Sequence, residues 1–80
     1  MQNADAKLVL DSLTSVMPYL VYPGELRAAV EKVMNESEDV KKFIEKFKQT
    51  ISAEADPTHK TDGQILVNEL KRKLSNSASI

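Results

Sequence analysis

The sequence predicts an all-α fold, a small bundle of about four short amphipathic helices. Three observations predict it. Apolar residues recur at spacings of three and four in four separate stretches. No run of useful length alternates with the period of a strand. The breaks between the stretches carry Pro, Asp, Asn and Ser, the residues that stop or start helices. Eighty residues make one domain. We place it at 1–74, with the Ser-rich 75–80 expected to fray into a disordered tail.

The first helix is expected over about 3–17. Asn3 is its N-cap and Asp5 suits the positive first turn. Leu10, Leu13, Met17 and Leu20 form the stripe, widened by Leu8, Val9 and Val16. Pro18 disfavours helical geometry at Met17, so the helix stops or kinks there. The second helix, 23–35, opens on Pro23, whose missing N–H has no partner at a first helical position anyway. Leu26, Val30 and Val33 are its inner stripe, with Ala29 and Met34 beside them and Asn35 as C-terminal cap.

The third helix, 38–54, has the clearest pattern. Ser37 is its expected N-cap, and Glu38 and Asp39 fill its first turn. Val40, Phe43, Ile44, Phe47 and Ile51 line one side, and the two phenylalanines place this helix at the centre of the core. Asp56-Pro57-Thr58-His59 reads as a turn. The fourth helix, 62–75, starts after Thr61, with Gln64 at the capping-box position. Leu66, Val67, Leu70 and Leu74 form its stripe.

Composition narrows the rest. There is no cysteine, which excludes disulfides and cysteine-rich zinc sites. The single histidine, His59, makes no metal site alone and reads as an exposed loop residue. A chain this short has a thin stability margin, and the supports left to it are good helix packing or a core completed by dimerisation. The net charge of −1 steers the chain to no particular polyion. Charge is nonetheless segregated. Residues 1–40 carry seven acids against three bases, and residues 41–80 five acids against eight bases. That favours attraction between the halves, within one chain or head to tail between two.

The longest apolar run, Val16 to Tyr22, falls far short of the roughly 20 residues a membrane span needs. The start of the chain lacks the basic segment of a signal peptide, so a cytoplasmic location is expected. A membrane-surface role would use the stripe of the third helix, which a bundle core requires, and no tryptophan supports it.

Tests for chemistry come out negative. With only Gly24 and Gly63 there is no glycine-rich phosphate loop, and no nucleophile elbow is present. Glu36, Glu38 and Asp39 lack the ligand spacing of a calcium loop. Asp11-Ser12-Leu13 resembles the tripeptide that carries the phosphopantetheine of acyl carrier proteins. The resemblance spans three residues, and only ten precede it where that family has a full helix, so it reads as coincidence. No enzyme activity, cofactor, metal or small-molecule substrate is expected.

The segment from Met17 to Pro23 stands apart. It holds both tyrosines and two of the three prolines. Prolines at both ends stiffen it, and tyrosine has the large area and polar tip of an interface residue. Tyr19, Leu20 and Tyr22 are therefore the candidate partner-binding residues. Core and interface roles combine if Leu20 points in and Tyr19 or Tyr22 points out. The leading expectation is a non-enzymatic protein-interaction or regulatory module, binding another protein or a second copy of itself. The alternative is a small nucleic-acid-binding regulator with a basic face made by Lys41, Lys42, Lys46 and Lys48 on the third helix and Lys71, Arg72 and Lys73 on the fourth. Arg27 and Arg72 are the only arginines, which leaves little for bidentate base reading and makes nucleic acid the weaker expectation.

Overall fold

The computed structural model describes residues 1–78. They form four α-helices: α1 Asn3–Val16, α2 Pro23–Asn35, α3 Val40–Ala53 and α4 Pro57–Ala78. A short 3-10 turn, Met17–Tyr19, follows α1. No strand occurs among the described residues. The expected all-α bundle is the fold found.

Pro18 acts where the sequence places it. Regular helix ends at Val16, and Met17–Tyr19 tightens into a 3-10 turn before Leu20 turns extended. The buried face of α1 is rotated from the expected stripe. Val9, Ser12, Leu13 and Val16 are buried, whereas Leu10 is exposed and Met17 and Leu20 are half-buried. Ser12 lies in the middle of the true face. Its Oγ donates to the Leu8 carbonyl at 2.9 Å, so the hydroxyl enters the core with its donor satisfied inside the helix. That position also leaves it unavailable to carry a prosthetic group. Asn3 is not the cap. Gln2 stands there without a side-chain bond.

The α2 boundaries match the expectation, and Leu26, Val30 and Val33 are buried as expected. Its C-cap is Glu36 rather than Asn35. Ser37 does not cap the next helix. It is buried behind α2, with Oγ donating to the Val33 carbonyl at 2.6 Å. Asp39 caps α3 instead, accepting from the Lys42 amide at 2.9 Å. Asp5 reaches across from α1 and accepts from the Val40 amide at 3.1 Å, so α3 begins only at Val40 with two carboxylates at its positive end. Phe43 and Phe47 then stack at 5.2 Å between centroids, both fully buried. Burying each contributes roughly 1.5–3 kcal/mol.

The fourth helix departs most from the sequence reading. It begins at Pro57, five residues before the expected start, and continues to Ala78 rather than 75. Asp56-Pro57-Thr58-His59 is its start, not a turn. Asp56 Oδ1 accepts from the Thr58 and His59 amides at 2.8 and 3.3 Å, and Pro57 takes the first helical position. Thr61, expected as the cap, lies inside the helix and donates to the Pro57 carbonyl at 2.9 Å. Of the expected tail at 75–80, residues 79–80 lie outside the described residues. Both α3 and α4 pack against every other helix, and α4 does so more extensively, above all with α1 and α3. The Cα radius of gyration, 11.8 Å, is close to the roughly 11.6 Å of a compact folded chain this long.

The two amide hydrogen bonds to Asp56 hold its carboxyl below its ordinary value of 3.8. A depressed folded-state pKa means that the ionised group stabilises the fold. That contribution is complete above 3.8 and is lost as pH falls through the lower folded-state value. Asp56→Ala should therefore unfold at lower urea than wild type at neutral pH. The gap between the two midpoints should narrow as the medium is acidified below 3.8. Urea titrations across a pH series measure it, and a gap independent of pH would refute the cap.

Candidate functional site

The link from α1 to α2 is an apolar ridge clamped from behind. Tyr19 is 73% exposed, Val21 62% and Tyr22 40%, while Leu20 is half-buried and packs against the core. Of the three candidate partner-binding residues, the two tyrosines face solvent and Leu20 anchors. The clamp is Asp62 of α4, which is 2% exposed. Its Oδ1 accepts from the Val21 amide at 3.1 Å and its Oδ2 from the Tyr22 amide at 2.8 Å. Tyr22 is the N-cap residue of α2, so the carboxylate also lies at the positive end of that helix. The bidentate grip fixes a segment that already has little freedom between Pro18 and Pro23.

Beside the ridge, α2, α3 and the first turns of α4 enclose a cleft of about 250 Å³. Its apolar side is made by Leu26, Ala29, Phe47 and Ile51. His59 stands at its mouth. The histidine is not an exposed loop residue: its side chain is 31% exposed and meets the edge of the Tyr22 ring, 4.5 Å between centroids. Neither Asp56 nor Asp62 partners its ring. Nε2 lies 2.5 Å from Glu25 Oε2 and Nδ1 lies 3.9 Å from Glu54 Oε1. The cleft thus joins an apolar pocket to a rim with two carboxylates, a shape that suits an apolar group next to a cation or hydrogen-bond donor. Gly63 brings α4 close to α3 here. A Cβ at that position would stand 2.7 Å from Ile51 Cγ1.

The basic residues do not gather as one face. Lys42 lies 3.8 Å from Glu45. Lys46 donates to the Glu36 carbonyl at the end of α2. Arg72 takes both carboxylate oxygens of Glu69, at 2.8 and 3.0 Å, and that pairing raises the Arg72 pKa and lowers that of Glu69. Lys73 stands near the same Glu69, and Lys41 is exposed on α3. The structure does bring Lys48 of α3 together with Lys71 of α4, at opposite sides of a second groove.

Sequence reading missed Glu25, Glu54, Asp62 and Gly63 as site residues. A signal for the last two existed. Asp62, Leu66 and Leu70 are spaced by four, as are Gly63 and Val67, so both sit on the apolar stripe once the helix starts early enough. Among the described residues no group of three or more His, Asp or Glu side chains is placed to hold a metal ion. No helix among them is long and apolar enough to cross a membrane.

Comparison with known proteins gives one family. The model of the MJ1579 family matches residues 6–75, nearly the whole bundle, and the chain belongs to that family. No curated protein and no solved structure matches the chain.

Proposed function

We propose that this member of the MJ1579 family is a non-enzymatic interaction module. Its working surface is the ridge Tyr19–Leu20–Val21–Tyr22, and its partner is a second copy of the chain. The observation that carries the reading is the clamp. A buried carboxylate is spent on holding a link that leaves Tyr19 and Val21 open to solvent, with Tyr22 partly exposed against His59. A link serving only as a connection gains nothing from exposed aromatic area. A surface meant for contact gains affinity from being ordered before it binds.

A second copy suits the ridge because a two-fold contact sets the same patch on both sides, and an apolar ridge is self-complementary in that arrangement. The patch is small. It lies below the roughly 1,200 Å² of a stable interface, so a weak dimer with a dissociation constant of about 10 µM to 1 mM is expected. The test is sedimentation equilibrium at two loading concentrations, on wild type and on the Tyr19→Ser/Tyr22→Ser double variant. Wild type should gain apparent mass with concentration. The variant should stay monomeric with an unchanged helical circular-dichroism spectrum. A wild type that remains a monomer at millimolar concentration overturns the reading. So does a variant that loses helicity, since the tyrosines would then belong to the core.

A further inference from the structure

We propose that the groove between α3 and α4 is a binding site for a phosphate-type oxyanion, held between the ammonium groups of Lys48 and Lys71. The groove measures about 320 Å³, room for a phosphoryl group with its hydration. Ser52, Gln64 and Asn68 line it with neutral donors, and buried Ile51 and Val67 complete the wall. No carboxylate lines it, although the chain carries twelve.

Three cations elsewhere on the surface pair with acids: Arg27 with Glu31, Lys42 with Glu45 and Arg72 with Glu69. Lys48 and Lys71 meet each other instead. Among the described residues neither has a carboxylate within ion-pair distance, and Lys48 holds the Lys71 pKa below the ordinary lysine value. Two like charges brought together by helix packing repel, and an anion between them removes that repulsion while accepting a hydrogen bond from each. The juxtaposition is set by the fold. The tight contact of Ile51 with Gly63 fixes how α3 and α4 run past one another. Lys48 lies three residues before Ile51 and Lys71 eight after Gly63, and both side chains line the groove beside that contact.

The inference is independent of the tyrosine ridge. Its test is a titration of the folded chain with inorganic phosphate at constant ionic strength, followed by the ¹H–¹⁵N signals of the Ser52 amide and the Gln64 and Asn68 side-chain amides. Saturable shifts in these signals are expected. Lys48→Gln or Lys71→Gln should weaken binding about tenfold. Lys41→Gln, outside the groove, should change it by less than about twofold, as for a screened surface charge. Equal shifts from chloride at matched ionic strength overturn the site, as does an equal loss in Lys41→Gln. Two further arms separate the sources of the phosphoryl group. If pyrophosphate binds as tightly per phosphate as a short single-stranded oligonucleotide, the ligand is a small phosphorylated molecule. If the oligonucleotide saturates the same signals at far lower phosphate concentration, the ligand is a nucleic-acid backbone.

Discussion

Asp62→Ala should lower the unfolding free energy by about 2–3 kcal/mol, a large share of the roughly 4–12 kcal/mol expected of an 80-residue domain. Each amide hydrogen bond to a charged acceptor contributes about 1.5–3 kcal/mol, and alanine leaves the Val21 and Tyr22 amides without theirs. Two effects reduce the sum. The variant no longer buries a carboxylate, and both amides sit in residues open enough for water to replace part of what is lost. A fall in melting temperature of about 10–20 °C follows for a domain of this size. Asp62→Asn keeps one acceptor but turns an amide group toward an amide donor, so it should recover less than half of the loss. The site of damage is predicted as well. Hydrogen exchange at the Val21 and Tyr22 amides should accelerate more than at Phe43 or Leu70 in the core. A loss spread evenly over the chain would show that Asp62 supports the bundle in general and does not act as a clamp on the ridge. A released ridge should also weaken self-association even with both tyrosines in place.

Much of the fold was legible because burial follows helical periodicity. On α2 and α3, Leu26, Val30, Val33, Val40, Phe43, Phe47 and Ile51 are apolar positions in the sequence and buried positions in the structure. Most of the errors trace to polar residues turned inward. Ser12 and Asp62 are buried, and Asp5 is half-buried against the start of α3. A reading that sorts residues into apolar-in and polar-out excludes all three. Ser12 enters the core by bonding within its own helix, and excluding it turned the α1 stripe toward Leu10. Asp5 and Asp62 are there because backbone amides of other segments need acceptors: the start of α3 in one case and the α1–α2 link in the other. Those partners lie 35 and 40 to 41 residues away, beyond any local pattern. The α4 start was misread for a different reason. An aspartate that accepts from the amides two and three residues on makes a turn and a helix N-terminus alike. What decides for helix is the continuation through Thr61, Asp62 and Gly63, which the fit of Gly63 against α3 and the bonds of Asp62 to the α1–α2 link make favourable.

The candidate site follows the same division. Composition and proline placement singled out Tyr19, Leu20 and Tyr22 but left core and interface roles open, and the exposure of the tyrosines with Leu20 half-buried comes from the structure. The Lys48–Lys71 pair was not singled out from the seven basic residues, because its selection depends on how α3 and α4 pass each other. The cleft was invisible for the same reason. Its walls come from three helices, and Gly63, which lets two of them approach, looks in the sequence like a defect in a helix.

Gly63→Leu puts that dependence to a direct test. Glycine inside a helix is worse than alanine by about 0.8–1 kcal/mol, and leucine is nearly as good as alanine, so propensity alone makes the substitution stabilising by close to 1 kcal/mol. Packing opposes it. The added Cβ would stand 2.7 Å from Ile51 Cγ1, 2.9 Å from Ile51 Cδ1 and 3.6 Å from the Phe47 ring. Cγ1 is held by the branched centre of the isoleucine and has no easy retreat, and the rest of the leucine must still be housed. Overpacking of this kind costs about 3 kcal/mol, which outweighs propensity and leaves a net loss of about 2 kcal/mol by urea unfolding. Gly24 in α2 is the control. A Cβ there meets nothing within 4 Å, so Gly24→Ala should be neutral or stabilising by up to about 1 kcal/mol. The contrast isolates contact from conformational preference, since both glycines are helical and neither has a positive φ. Removing the obstacle should reverse the sign. In an Ile51→Ala background, Gly63→Ala should stabilise, because the atoms it would strike are gone and only propensity remains. If Gly63→Ala destabilises both backgrounds equally, Ile51 is not what the glycine accommodates. The substitution also carries a signature beyond stability. Forcing α3 and α4 apart at Ile51 should move Lys48 from Lys71, and the Lys71 pKa should rise toward that of an ordinary lysine.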